Sequence, residues 1–460
     1  MRPAAISPGN TIFVILSFEG PDGYSMAGGL GVRVTNLSRS LAGLGFHTHL
    51  LFIGDPEGKG VESTYGGRCT LHRWCQWISE YHPEGVYQGE DGKLADFNES
   101  APPFVAEHLV RPALNQGKTV IILGEEWHTA EAMCRISDLL HAAGLRERVV
   151  MFWNANNTFS FDRINWGRLS YATTITTVSR YMKHIMRGMG LNPLVVPNGI
   201  PKSLLGSVDV KASASLRKRL EADLILAKVA RWHPDKRWNE AVEAVARLKA
   251  RGLRTVLVAR GGIEPHGEEV LYHARSLGLK VADARSRGGS LQDCLNAIEG
   301  GDKAEVINLR FRCPQDFLRI VYHASDAVLA NSGHEPFGLV GLEAMAAGGI
   351  AFTGGTGEDY AVPFRNSIVL ETADPGEIEA YAVYLNEHPN DGQRIRKAAR
   401  QTARQFTWEE VITILVRKLE YQARAQGLLA APVRAAVQEP RHFDLPDLVP
   451  QREPVVAVTA

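Results

Sequence analysis

The sequence predicts an α/β protein made of two parallel-sheet units in series, and three observations lead there. Short apolar runs of strand length alternate with amphipathic stretches of helical length, the pattern of a parallel sheet covered by helices. The alternation breaks at Val196-Pro197-Asn198-Gly199-Ile200-Pro201, where two prolines and a glycine suit a linker or hinge. The chain has 460 residues, beyond the ~100–200 of a typical domain.

In the first unit, residues 1–198, the run 11–18 reads as a buried strand and 19–31 as a glycine-rich turn. Residues 32–44 then read as a helix with Val34, Leu37, Leu41 and Leu44 along one face. Further strands are expected at 50–54, 120–123, 149–153, 174–178 and 194–196, and 55–107 is expected as loops. The second unit, residues 199–405, has strands at 224–229, 255–259, 304–309, 327–330, 350–353 and 367–370, with helices at 239–251, 315–324 and 337–347. A last strong helix, 408–425, is able to pack on either unit. Residues 430–460 have no sustained period and read as a loosely ordered tail, and 280–305 gives no functional reading.

Composition narrows the function. Fifty-one Lys and Arg balance 51 Asp and Glu, which argues against wholesale binding of nucleic acid or an anionic membrane. The longest apolar stretches fall far short of the ~20 residues needed to cross a bilayer, so no transmembrane helix is expected. The N-terminus has no pattern of charge, apolar run and cleavage site, and Cys69, Cys75, Cys134, Cys294 and Cys313 are scattered without metal-knuckle spacing. A reduced, cytoplasmic protein is the expectation.

The most informative stretch is Asn331 to Gly349, directly after an expected strand. Pro336 sits near a helix start and Gly348-Gly349 lies past its end, so a helix is expected from about Phe337. Free amides around Gly338, Leu339 and Val340 would then face the carboxyl edge of the sheet, a good site for a diphosphate. Glu335 and Glu343 need another role. A carboxylate accepts two hydrogen bonds from a hydroxyl pair, so each can grip a sugar on one side of that diphosphate.

With these residues, Glu335-Pro-Phe-Gly-Leu-Val-Gly-Leu-Glu343-Ala-Met-Ala-Ala-Gly resembles the paired-glutamate signature of the retaining glycosyltransferases of the GT-B fold, group 1 and related to glycogen and sucrose synthases. The resemblance runs from about residue 11 to 425. It implies two Rossmann-like βαβ domains facing across a cleft, with Glu335 on the donor sugar and Glu343 on the nucleotide ribose. Arg231 and Lys236, after the strand at 224–229, match the family's Arg and Lys and would neutralise the diphosphate. Arg237 stands where relatives commonly carry glycine.

Gly28-Gly29-Leu30-Gly31 lies in the first turn between strand and helix. Glycine permits close approach of backbone to ligand, and relatives use such a loop near the donor phosphates and acceptor; a plain tight turn explains it equally. Gly124-Glu125-Glu126-Trp127-His128-Thr129-Ala130 looks like an element that in glycogen-synthase-like members turns Trp and His towards the acceptor, so His128 is a catalytic candidate, with a core or capping histidine as the rival. At 149–158 relatives carry a histidine near the transferred sugar; here Asn154 or Asn156 would stand in, and an amide cannot become cationic.

The resemblance therefore implies a hexosyltransferase that moves a sugar from a nucleotide-diphosphate donor to a hydroxyl acceptor, a carbohydrate or small polyol. The expected reaction is retaining, front-face and metal-independent, with no metal site and no cofactor beyond the donor. Nucleotide-sugar 2-epimerases share this architecture, and a non-catalytic sugar-nucleotide-binding protein is a further alternative. Epimerisation needs no acceptor, so product analysis separates them.

Overall fold

The computed structural model describes residues 2–299 and 303–431. The tail expected over 430–460 lies, from 432 onward, outside the described residues.

Two sheets carry the architecture. In the first, β1 (Thr11–Leu16), β2 (His47–Ile53), β3 (Val61–Thr64), β4 (Cys69–Trp74), β5 (Thr119–Glu125), β6 (Val149–Ala155), β7 (Thr174–Thr177) and β8 (Leu194–Val195) adopt the order β3-β4-β2-β1-β5-β6-β7-β8. Every pair is parallel except β3 with β4. In the second, β9 (Leu224–Val229), β10 (Thr255–Arg260), β11 (Val281–Ala284), β12 (Val306–Leu309), β13 (Ala327–Ala330), β14 (Ala351–Thr353) and β15 (Ile368–Val369) follow β11-β12-β10-β9-β13-β14-β15, all parallel. Strands β1 and β5 are buried along their whole length, as expected of parallel strands covered by helices on both faces.

The strand order reverses at β1 in one sheet and at β9 in the other. Such switch points, at the carboxyl ends of the strands, are where open α/β sheets leave a crevice for ligand.

The connection near Val196–Pro201 does not cross alone. The Ile200 amide donates to the Phe406 carbonyl at 2.8 Å, and the Trp408 amide donates to the Ile200 carbonyl at 3.1 Å. The chain thus leaves the first unit and returns to it through two adjacent segments. The Trp408–Ala425 helix packs its buried Trp408, Val411, Leu415 and Leu419 with Phe13, Ile15, Val34 and Leu41 of the first unit.

Two stretches differ from expectation. Within 55–107 the chain forms β3, β4 and the Glu90–Phe104 helix rather than loops. Strand β3 reads Val-Glu-Ser-Thr, a half-exposed antiparallel edge with too little apolar content to announce itself. Within 280–305 lie β11 and the Leu291–Glu299 helix. Among the described residues no helix is long and apolar enough to cross a membrane.

Candidate active site

The carboxyl ends of both sheets enclose one cleft of about 940 Å³. On the second-unit wall, the loop after β13 leads into the Leu339–Ala347 helix, two residues later than the sequence suggests. The delay is caused by Gly338, which sits at φ 75°, ψ 65° as the residue before the helix. A Cβ there would lie 2.8 Å from Cγ of Glu358 and 3.1 Å from the Tyr360 hydroxyl, so the turn admits only glycine. The Tyr360 hydroxyl donates to the Gly338 carbonyl and anchors it. Pro336 to Val340 line the cleft, and the first amides of the helix, at Leu339 and Val340, have no partner within it.

Glu335 reaches Lys236, whose Nζ lies 2.7 Å from Oε2. Its backbone is pinned from the far side: the Gly357 amide donates to the Glu335 carbonyl at 2.8 Å, and the Glu335 amide donates to the Thr356 hydroxyl at 3.1 Å. The glycine-rich turn at 353–358 therefore positions Glu335. Arg231 lines the same wall with an exposed side chain.

Glu343 lies further along the helix, half-buried and off the wall of the cleft. Burial raises its pKa to about 7, and it has no hydrogen-bond or ion-pair partner among the described residues. A second-wall group absent from the sequence reading is Lys228, 1% exposed. Its ammonium donates to the Leu329 carbonyl and the Asn331 side chain, lies 5.3 Å from the Trp238 ring centre and lines the cleft. Burial, then repulsion from Lys236, lowers its pKa to about 7. Its only signal in the sequence is a lysine inside an otherwise apolar strand.

On the first-unit wall the glycine loop departs from expectation. Oε2 of Glu19 accepts from the amides of Ala27, Gly28 and Gly31 at 3.1, 2.8 and 3.0 Å. The start of the Gly29–Gly43 helix is thus occupied by an internal carboxylate, because amides left open there demand an anion and Glu19, only 4% exposed, supplies one. This corrects the sequence reading: the Gly28 and Gly31 amides are not open to donor phosphate, and Gly31 does not line the cleft, whereas Gly28 and Gly29 do.

His128 lines the cleft but is also a packed side chain, 4% exposed, with its ring stacked on Phe18 and Trp127 at 4.2 and 3.9 Å between centres. Nε2 is 2.7 Å from Oε1 of Glu90, and Nδ1 has no partner. Burial, then the charge of Arg163, lowers its pKa to about 3, so the ring is neutral; it donates to Glu90 and keeps Nδ1 as an acceptor. Next to it Glu126 stands at φ 68°, a left-handed backbone costly for a side-chain-bearing residue. The amides of Asn156 and Asn157 hold its Oε1 at 2.5 and 3.2 Å, and burial raises its pKa to about 7.

Of the two asparagines, Asn156 lines the cleft, while Asn154 is buried and donates to Glu125, which also pairs with Arg33 at 2.9 Å. The aromatic residues of 55–107 separate likewise. Tyr87 donates to Oε1 of Glu19 on the wall and Trp74 packs on Phe104, whereas exposed Trp77 and Tyr81 line a different, shallow groove.

Comparison with known proteins accords with this geometry. Residues 213–402 match the family model of glycosyl transferases group 1. A glycogen synthase of Bordetella petrii is 26% identical over 472 residues, covering 84% of this chain and 85% of that protein. Sucrose-phosphate synthase from Thermosynechococcus elongatus superposes with a TM-score of 0.64 at 19% identity, covering 90% of this chain and 99% of that one. The catalytic domain of starch synthase IV from Arabidopsis thaliana, bound to ADP and acarbose, gives 0.62 at 16% identity, covering 90% and 99%. The fold is therefore GT-B. Its second unit carries a glycosyl transferases group 1 domain.

Proposed function

We propose that the protein transfers a sugar from a nucleotide-diphosphate donor to a hydroxyl acceptor, with retained anomeric configuration and without a metal ion. The observation that carries this reading is the convergence of Arg231, Lys236 and Lys228 with the helix start at Leu339–Val340 on one wall of the cleft. Donors fixed in this way stabilise the negative charge that grows on a departing diphosphate, the demand of a reaction with an oxocarbenium-like centre. Glu335 grips the donor sugar and Glu343 the ribose, as the resemblance implies; a half-buried carboxylate without a partner among the described residues suits the second role.

In the reaction the bond from the anomeric carbon to the diphosphate oxygen breaks, and its electron pair leaves with the nucleotide. The acceptor oxygen bonds to the same face of that carbon, and its proton passes to the leaving phosphate oxygen. Lys236 exchanges part of its contact with Glu335 for the phosphate as donor binds. His128, being neutral, accepts a sugar hydroxyl at Nδ1 rather than supplying charge. Closure about the paired connections at Ile200 and Phe406 brings the walls together and excludes water.

The test is a screen of UDP-, ADP- and GDP-sugars, reading nucleotide release with and without carbohydrate acceptor and the anomeric configuration of the product by NMR. An acceptor-dependent product of inverted configuration overturns retention. Product formed from the donor alone, by change at its sugar, overturns transfer.

A further inference from the structure

The fold does not choose the acceptor, since sucrose-phosphate synthase and starch synthase share it. The charges on the cleft do. Glu19, Glu90 and Glu126 line the first-unit wall, and among the described residues no lysine or arginine of that unit joins them. The cations near this wall already have partners, Arg163 among them, although its charge also reaches Glu90 and His128. Arg33 pairs with Glu125 and donates to Asn198. Arg163 stacks over Trp127 at 4.2 Å and contacts Asp91. Lys93, fully buried, donates to Tyr24 and to the carbonyls of Gly85 and Val86. The helix start on this side, the one further place where a phosphate would be welcome, is occupied by the Glu19 carboxylate.

We infer that the acceptor is an uncharged sugar or polyol, and that the wall formed by Glu19, Glu90 and Glu126 excludes phosphorylated sugars. This inference rests on the transferase reading above and names the substrate class of that same site. The wall is also furnished for neutral hydroxyls. Nδ1 of His128 is a buried acceptor without a partner among the described residues, and Oε1 of Glu126 is held by two amides while, among the described residues, no bond is made to its other oxygen. Both groups take hydrogen bonds from O–H donors. A phosphate offers acceptors almost exclusively, so it would face these lone pairs without a bond. It would also sit in a cleft of about 940 Å³ beside the carboxylates of Glu19 and Glu90, joined by Glu126 above its pKa of about 7, within roughly one Debye length of ~8 Å, where salt screens poorly. Cations on the opposite wall give no refuge, because a sugar phosphate held there would compete with the donor diphosphate for Arg231 and Lys236.

The experiment compares glucose and maltotriose with glucose 6-phosphate as acceptors, using whichever nucleotide sugar the protein consumes, in the wild type and in the Glu90→Gln and Glu126→Gln variants. Like-charge juxtaposition costs several kcal/mol, so kcat/KM is expected to be at least ~100-fold higher for a neutral acceptor. Each variant is expected to narrow that preference about tenfold by raising turnover of glucose 6-phosphate. Glu90 is the milder change, being partly exposed at the start of its helix, so loss of fold in Glu126→Gln does not remove the test. Equal or better use of glucose 6-phosphate by the wild type overturns the acceptor inference. So does an unchanged preference in a folded Glu90→Gln variant with either neutral acceptor. Titration with UDP, ADP and GDP alone separates the two readings: nucleotide binding together with transfer to the sugar phosphate overturns the acceptor class only. Absence of nucleotide binding overturns the transferase reading beneath it.

Discussion

Lys236 and Glu335, 99 residues apart in sequence, meet at 2.7 Å on the wall of the cleft. Each side chain retains about a fifth of its exposure, 19% and 22%, so the pair faces ligand rather than core. It holds both groups in place before donor arrives and leaves each able to exchange its partner.

Replacing either residue by alanine is expected to reduce transfer by about 10²–10³ while leaving the fold intact. Steady-state kinetics together with circular dichroism checks this. Near-normal turnover in Lys236→Ala would remove the phosphate role assigned to it.

Glu343 gives a pH prediction. Burial raises its pKa to about 7, so in the free protein the carboxylate is protonated below that value and ionised above it. An ionised carboxylate would accept from both ribose hydroxyls and raise nucleotide affinity from pH 6 to 8, while Lys228, its pKa also about 7, loses its charge over the same range and opposes that rise. In Glu343→Gln only the decline with Lys228 should remain, and affinity at pH 8 should be about tenfold below wild type, in line with loss of a hydrogen bond to a charged group. Calorimetric titration at several pH values reads both effects.

His128 predicts an acid-sensitive fold. Its pKa falls from an ordinary 6.5 to about 3 in the folded protein, so the unfolded chain binds the proton first. Stability is complete above pH 6.5 and declines as pH drops towards 3, by up to about 5 kcal/mol from this group. Denaturant titrations of wild type and His128→Phe between pH 7 and 4 should show a shallower decline in the variant. Parallel curves would refute the assignment.

Gly199 predicts the cost of disturbing the paired connections. A Cβ at this position would lie 2.8 Å from Cδ2 of Trp408 and 3.0 Å from its Cα, too close for the ring to yield alone. Gly199→Ala is expected to lower stability by about 1–3 kcal/mol, the usual range for overpacking, with a matching fall in Tm by calorimetry.

On the proposed function a chelator is expected to leave activity unchanged, because Arg231, Lys236, Lys228 and helix amides would meet the charge on the leaving diphosphate. Strict dependence on added magnesium or manganese, assayed after dialysis against EDTA, would contradict that arrangement.

The sequence by itself determined the two-unit α/β architecture and marked the segment after Ala330 that lines the second-unit wall of the cleft. Buried parallel strands must be apolar throughout, helices that cover them must be amphipathic, and the paired glutamates stand on one continuous segment. Even Arg237 was legible as an irregularity: it sits at φ 51°, ψ 52°, the left-handed conformation that makes glycine the easier residue there. Only the tertiary structure decided what opposes that wall. That Glu19 closes the first helix start, that Lys228 lines the second-unit wall and that Glu126 and His128 share the first-unit wall all depend on contacts between separate strand ends. Periodicity reports which face of one element is buried; it carries no record of which charge from a distant loop meets it. The electrostatic character of the cleft therefore arises only when both sheets bring their carboxyl edges together.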